Sequence, residues 1–245
     1  MTSCITARRV RWAFASALLA TAFLAVPAVA EEMDDDLFTL VLIDQLEYRA
    51  QKGSDLVVWE GQARIGNDDH KVALKSRGEY TLDTDKFASA EFQLLYLRPF
   101  DDFVDVQFGL RHDVKPEPTR SYAVVGLNGL APQWFEVDAS AFLSERGDAS
   151  ARLEAEYDIL LTQRLVLQPT AELNVALSDD RPTGVGAGVG DVELGLRLRY
   201  EIAREFAPYI GVNWERKLGK TARFARDEGE DTNTLAGVVG IRLFF

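Results

Sequence analysis

The side chains best suited to chemistry in this chain are two histidines, one serine that follows the second of them, and a set of carboxylates spaced two apart. His70 closes the run Asn67-Asp68-Asp69-His70, whose residue types favour a solvated turn. His112 precedes Asp113, and Ser121 opens the next strand-like stretch. A serine activated by a histidine that a third group orients would suit a lipid-modifying hydrolase or acyltransferase, with Asp113 as the orienter. The plainer reading makes Ser121 a strand-start residue and His112 an interfacial side chain, because its alternation with Leu110 turns it outward. Metal chemistry has little to work with. There is no His-x-His, Met-x-Met or cysteine cluster, so no preformed transition-metal site is written in the sequence. The candidate ligands are Met33, His70, Glu154, Glu156 and Glu172, of which the carboxylates suit hard ions.

The carboxylates gain meaning from the elements that carry them. In the stretch Ala151 to Leu160, Leu153, Ala155, Tyr157 and Ile159 share one face and Arg152, Glu154, Glu156 and Asp158 the other. In Asp191 to Glu201, Val192, Leu194, Leu196, Leu198 and Tyr200 oppose Glu193, Gly195, Arg197, Arg199 and Glu201. A period of two sorts these residues cleanly and a period of 3.6 does not, so both stretches are strands. About twelve such stretches are expected, beginning with Phe38 to Arg49 and ending with Thr234 to Phe245. Pro169, inside one of them, donates no backbone hydrogen bond and predicts a bulge or bend. Gly184 to Gly190, reading GVGAGVG, lacks the Lys-Ser/Thr and the helix of a phosphate loop and reads as a flexible outer loop.

Which face of these strands points inward separates a soluble sandwich from a membrane barrel. The polar faces carry both signs of charge, as a lumen bridged by ion pairs requires, and the strands are long enough for a tilted crossing. Glu136, Arg152, Glu154, Glu156, Glu172, Glu193, Arg197 and Arg199 are therefore expected in the lumen, where they fill a polar core or make a cation-attracting passage. The final stretch, TLAGVVGIRLFF, has one face apolar to its end, which suits a strand that pairs with the first and meets lipid. The two longest connections, SDDRPTGVGAGVG and LGKTARFARDEGED, fall on the same side, expected to be the outer one. Phe100, Phe103, Trp134, Phe135, Phe206 and Phe245 collect at the other level as an aromatic girdle. The expected fold is an all-β antiparallel transmembrane barrel of about twelve strands over residues 37–245.

The start of the chain is a separate object. Arg8, Arg9 and Arg11 precede an apolar run from Trp12 to Val26 and then Ala28-Val29-Ala30, the pattern of a cleaved signal peptide over residues 1–30. Glu31 to Asp36 would form a short acidic periplasmic tail. Cys4 lies in the leader, so the mature chain has no thiol. Losing the leader's three basic residues moves the formal charge from −12 to −15, which excludes nucleic-acid partners and suits cations.

A longer set of motifs resembles one family. These are Leu130 to Val137 (LAPQWFEV), Ala151 to Asp158 (ARLEAEYD) running into Leu161 to Arg164 and Leu167-Gln168-Pro169, Leu194 to Ile202 (LGLRLRYEI), Arg204 to Val212 (REFAPYIGV), Trp214-Glu215-Arg216, and Ala225-Arg226 with Gly229-Glu230-Asp231. Together they resemble the copper resistance protein B family of Gram-negative outer membranes. The resemblance implies a non-enzymatic outer-membrane barrel in contact with outer-membrane lipids. It implies a role in copper resistance and homeostasis, by binding copper ion or assisting its export from the periplasm, alongside a periplasmic copper oxidase. Family members commonly carry a Met- and His-rich segment between leader and barrel. Here that position holds only Glu31 to Asp36, with Met33 its one soft ligand. The alternatives are a general small-solute or structural barrel without metal specificity and a lipid-modifying barrel enzyme.

Overall fold

The computed structural model describes residues 37–245, so the expected leader, the acidic tail and Met33 lie outside the described residues. Alternation decides the architecture. In Lys86–Asp101, Phe92, Leu94 and Tyr96 are exposed while Glu91, Gln93, Leu95 and Leu97 are buried between them. Apolar side chains on the outer face and charges on the inner one require lipid outside and polar partners within.

Among the described residues twelve antiparallel strands follow one another around a closed wall. They are β1 (Phe38–Gln51), β2 (Leu56–Gly66), β3 (Lys71–Thr81), β4 (Lys86–Asp101), β5 (Val104–Lys115), β6 (Arg120–Ala131), β7 (Phe135–Ser144), β8 (Ala149–Glu156, resumed at Ile159–Leu160), β9 (Leu165–Ala176), β10 (Gly188–Tyr200), β11 (Phe206–Lys217) and β12 (Asn233–Phe244). Each pairs with the next, and β12 closes on β1 with Tyr48 opposite Val239 and Leu42 opposite Phe244. Val41 and Phe245 complete the seam, Val41 N donating to Phe245 O at 2.7 Å and Phe245 N to Val41 O at 2.8 Å. Closure leaves no strand with an unpaired edge, which is what a bilayer demands of a sheet. Among the described residues no helix is long and apolar enough to cross a membrane.

Three local features differ from the sequence reading. The connection between β11 and β12 contains a helix, α1 (Gly219–Glu228), so the fold is nearly rather than wholly β. The glycine-rich run is not a free loop: Gly188 to Gly190 already belong to β10, and Gly186 lies against α1, where Thr221 Oγ1 accepts from Gly186 N at 3.0 Å. Pro169 stays in β9. The donor it lacks appears instead as a gap in the neighbouring strand, where β8 is interrupted at Tyr157 and Asp158 while Tyr157 N still donates to Pro169 O at 3.2 Å. The expected aromatic residues Phe100, Phe103, Trp134, Phe135, Phe206 and Phe245 are all exposed at the short-turn end.

Candidate functional site

The inward faces of the strands build a charged lumen, and register determines which charges meet. On five adjacent strands an acidic residue sits directly opposite the next: Asp138 of β7 faces Glu154 of β8, which faces Glu172 of β9, then Glu193 of β10, then Glu215 of β11. Like charges in cross-strand positions repel, so the row needs cations supplied from elsewhere on the wall. Lys75 Nζ lies 2.6 Å from Asp138 Oδ2, Arg49 Nη1 3.0 Å from Glu193 Oε1, and Arg77 Nη2 2.7 Å from Glu154 Oε1. Arg152, on the acidic strand β8 itself, reaches across to Glu91 of β4 with paired bonds of 3.0 Å. Arg111 of β5 meets the same Glu91 at 2.9 Å and lies over the ring of Phe142, 4.6 Å from its centroid.

A second network lies near the seam. Glu47, whose side chain is wholly buried, accepts from Arg49 Nε at 2.6 Å, Arg197 Nε at 3.0 Å and the Tyr209 hydroxyl at 3.0 Å. An irregularity in β1 between Ile43 and Gln45 makes this possible by turning two successive residues toward the lumen. Asp44 Oδ1 then pairs with Arg242 Nε at 2.7 Å, and Gln45 Oε1 accepts from Arg197 Nη2 at 3.0 Å. On the β3–β7 side of the lumen Ala73, Leu95, Leu97, Val124 and Phe142 pack as an apolar cluster among these charges. One cavity of about 700 Å³ runs between these groups, from Leu130 and Glu136 at the short-turn end to Lys115 and Pro116 at the other.

The residues singled out from sequence do not converge on one point. Arg152, Glu154, Glu172, Glu193 and Arg197 take part in the pairs above, whereas Glu136 and Glu156 face each other near the short-turn mouth. Arg199 binds Asp158 at 2.6 Å. His70 lies outside the lumen, its Nδ1 against the Tyr96 hydroxyl and its ring beside the Tyr96 ring. Among the described residues no group of three or more His, Cys, Asp or Glu is arranged to hold a metal ion. His112 Nδ1 does meet Ser121 Oγ at 3.0 Å on the exposed face. Asp113 cannot orient it, because alternation sends Asp113 to the lumen, where Arg111 Nε holds it at 2.7 Å. Arg49, Arg77, Glu91, Asp138 and Glu47 belong to the networks but went unremarked in sequence. In the Lys71 to Tyr80 stretch KVALKSRGEY a signal was present: Val72 and Leu74 alternate with Lys75, Arg77 and Glu79.

A family model described as Copper resistance protein B precursor (CopB) matches residues 37–245. The chain is 43% identical over 212 residues to Copper resistance protein B of Escherichia coli, covering 86% of this chain and 71% of that protein. It is 42% identical over 212 residues, with the same coverage, to the Copper resistance protein B homolog of Pseudomonas syringae pv. tomato. Among solved structures the NanC porin superposes with a TM-score of 0.54 at 14% identity, over 84% of this chain and 99% of that one. The KdgM porin gives 0.50 at 12% identity, over 82% and 98%. At those identities the two porins speak to the barrel fold alone.

Proposed function

Because the chain belongs to the copper resistance protein B family and is a non-enzymatic outer-membrane barrel, we propose that it serves copper tolerance by admitting copper cations to its acidic lumen. The observation that carries this reading is the row Asp138, Glu154, Glu172, Glu193 and Glu215, five carboxylates on adjacent strands facing one cavity. Such a wall concentrates cations and repels anions. Its donors also select the form of copper. Residues 37–245 hold no methionine or cysteine, and their two histidines, His70 and His112, are exposed and bonded to Tyr96 and Ser121. Soft Cu(I) does not fit a carboxylate lumen, whereas hydrated Cu(II) does.

The barrel then acts as a passage that copper follows down its gradient out of a loaded periplasm, with the short-turn end inward and the long connections outward. Soft-ligand handling falls to a partner such as a periplasmic copper oxidase, which would deliver the metal in its oxidised form. Expected outcomes are lower copper tolerance in a deletion strain and retention of Cu(II) by the purified folded protein, measured by metal analysis after exposure to copper, zinc and nickel. Unchanged tolerance together with no retained copper overturns the proposal. A second reading, a small-solute barrel without metal specificity, draws on the same lack of soft donors; equal retention of all three metals with unchanged tolerance would favour it.

A further inference from the structure

Arg77 stands on β3, across the lumen from the acidic row, and its guanidinium holds three carboxylates from three strands. Nη2 lies 2.8 Å from Glu60 Oε1 of β2 and 2.7 Å from Glu154 Oε1 of β8, and Nη1 lies 3.0 Å from Glu172 Oε2 of β9. Counted either way around the twelve strands, β3 and β9 are six apart, so the bond to Glu172 joins opposite points of the wall. The other bridges are shorter chords. Lys75 to Asp138 and Arg152 to Glu91 each span four strands, and Arg49 to Glu193 spans three. Arg77, Glu154 and Glu172 all line the cavity that reaches from one end of the barrel to the other. A charged bar therefore lies across its widest chord.

We propose that Arg77 is the gate of this lumen, a tethered cation seated among the carboxylates that a permeating cation must displace. The proposal rests on the lumen being the route described above, but not on copper being the cargo. Charge supports it first. Arg77, Arg111 and Arg152 face Glu60, Glu91, Glu154 and Glu172, one negative charge in excess with the Arg77 guanidinium in place and two without it. Displacing Arg77 thus deepens the attraction for a mobile cation. Residue type supports it second: a forked, planar donor reaches two sides of the lumen at once, which a lysine ammonium does not. Exposure supports it third. The side chains of Arg77 and its three partners are between 20% and 32% exposed, so their bonds are partly screened and can exchange with ions in the cavity. The Glu47 network, by contrast, is shut away from solvent and has the character of a permanent brace.

The test is single-channel recording in planar bilayers in KCl without copper, on the full barrel and on Arg77→Gln. The wild type should show low conductance. Arg77→Gln should raise it several-fold and move the reversal potential under a KCl gradient toward that of potassium. A second variant, Glu154→Gln with Glu172→Gln, leaves the guanidinium in place but removes its anchors on the far wall. It should also raise conductance while weakening the cation preference. Folding is checked by migration on unheated gels. If folded Arg77→Gln conducts like the wild type, Arg77 is not the gate; if that variant does not fold, unchanged conductance in the double variant overturns the proposal instead. Failure here leaves copper tolerance and copper retention untouched, and failure of those leaves the KCl recordings standing.

Discussion

Glu47 shows what a single buried carboxylate does in a barrel of this kind. With its side chain wholly buried against Arg49 and Arg197, themselves 5% and 4% exposed, it is the counter-charge for two guanidiniums. Glu47→Ala would leave Arg197 without a charged partner and Arg49 with Glu193 alone, in a space closed to water, a loss of about 3 kcal/mol by analogy with broken buried pairs. Glu47→Gln keeps acceptor and volume and should lose less. Tyr209→Phe removes one bond to the same carboxylate and should cost on the order of 1.5 kcal/mol. Urea unfolding of the three variants in lipid vesicles, followed by tryptophan fluorescence, should rank them in that order. Gly240 ties this network to β12. A side chain there would begin 2.5 Å from the Tyr209 ring that covers it, so Gly240→Val should push Tyr209 away from Glu47 and destabilise at least as much as Tyr209→Phe.

At the scale of elements the two long connections act as one unit. Lys220 of α1 bonds Asp179 at 2.8 and 3.1 Å, Arg181 meets Asp227 at 3.3 Å, and Gly186 approaches α1 so closely that an added Cβ would lie 2.4 Å from Lys220 Cβ. Gly186→Val should therefore separate loop from helix. The Lys220 ammonium, helped by the Ala187 N–H, holds the Asp179 carboxyl below the usual aspartate range. A depressed folded pKa means the contact contributes fully at neutral pH, begins to lose that contribution as pH falls through the ordinary aspartate range, and has lost it once pH has fallen through the lowered value. Hydrogen exchange in α1 should follow that course. Asp179→Asn should abolish the pH dependence. The β1 irregularity works at the same scale, since without it Asp44 and Gln45 could not both face the lumen.

At the scale of the whole molecule the solvent is lipid outside and a charged, partly hydrated space inside, and substitutions should read that difference. Leu196 is exposed on the outer face of β10 and Arg197, one residue on, is buried on the inner face. Leu196→Arg should destabilise the barrel in vesicles by about 2–4 kcal/mol if it sits near the bilayer midplane. Folding titrations in vesicles against the wild type check the value. Removing residues 233–245 would open both seams of β12, with β11 and with β1, and should leave no barrel that resists unfolding on unheated gels.

Alternation along each strand is a local property, and from it followed the strands, the lipid-facing rows and the inward direction of Glu154, Glu172, Glu193 and Arg197. Residues two apart on one strand share a face whatever the rest of the chain does. Connection lengths likewise placed the two long loops at one end. Register and closure are not local. That Asp138, Glu154, Glu172, Glu193 and Glu215 stand in one cross-strand row depends on how four pairs of strands slid against each other, and a shift by one residue would have turned each strand inside out. That Arg77 finds Glu172, 95 positions along the chain, depends on twelve strands closing so that β3 faces β9. Helix α1 and the gap in β8 were hidden for a similar reason: each is set by what packs or fails to bond beside it. The sequence by itself thus determined the kind of surface each strand presents, and only closure of the wall decided which charges meet across it.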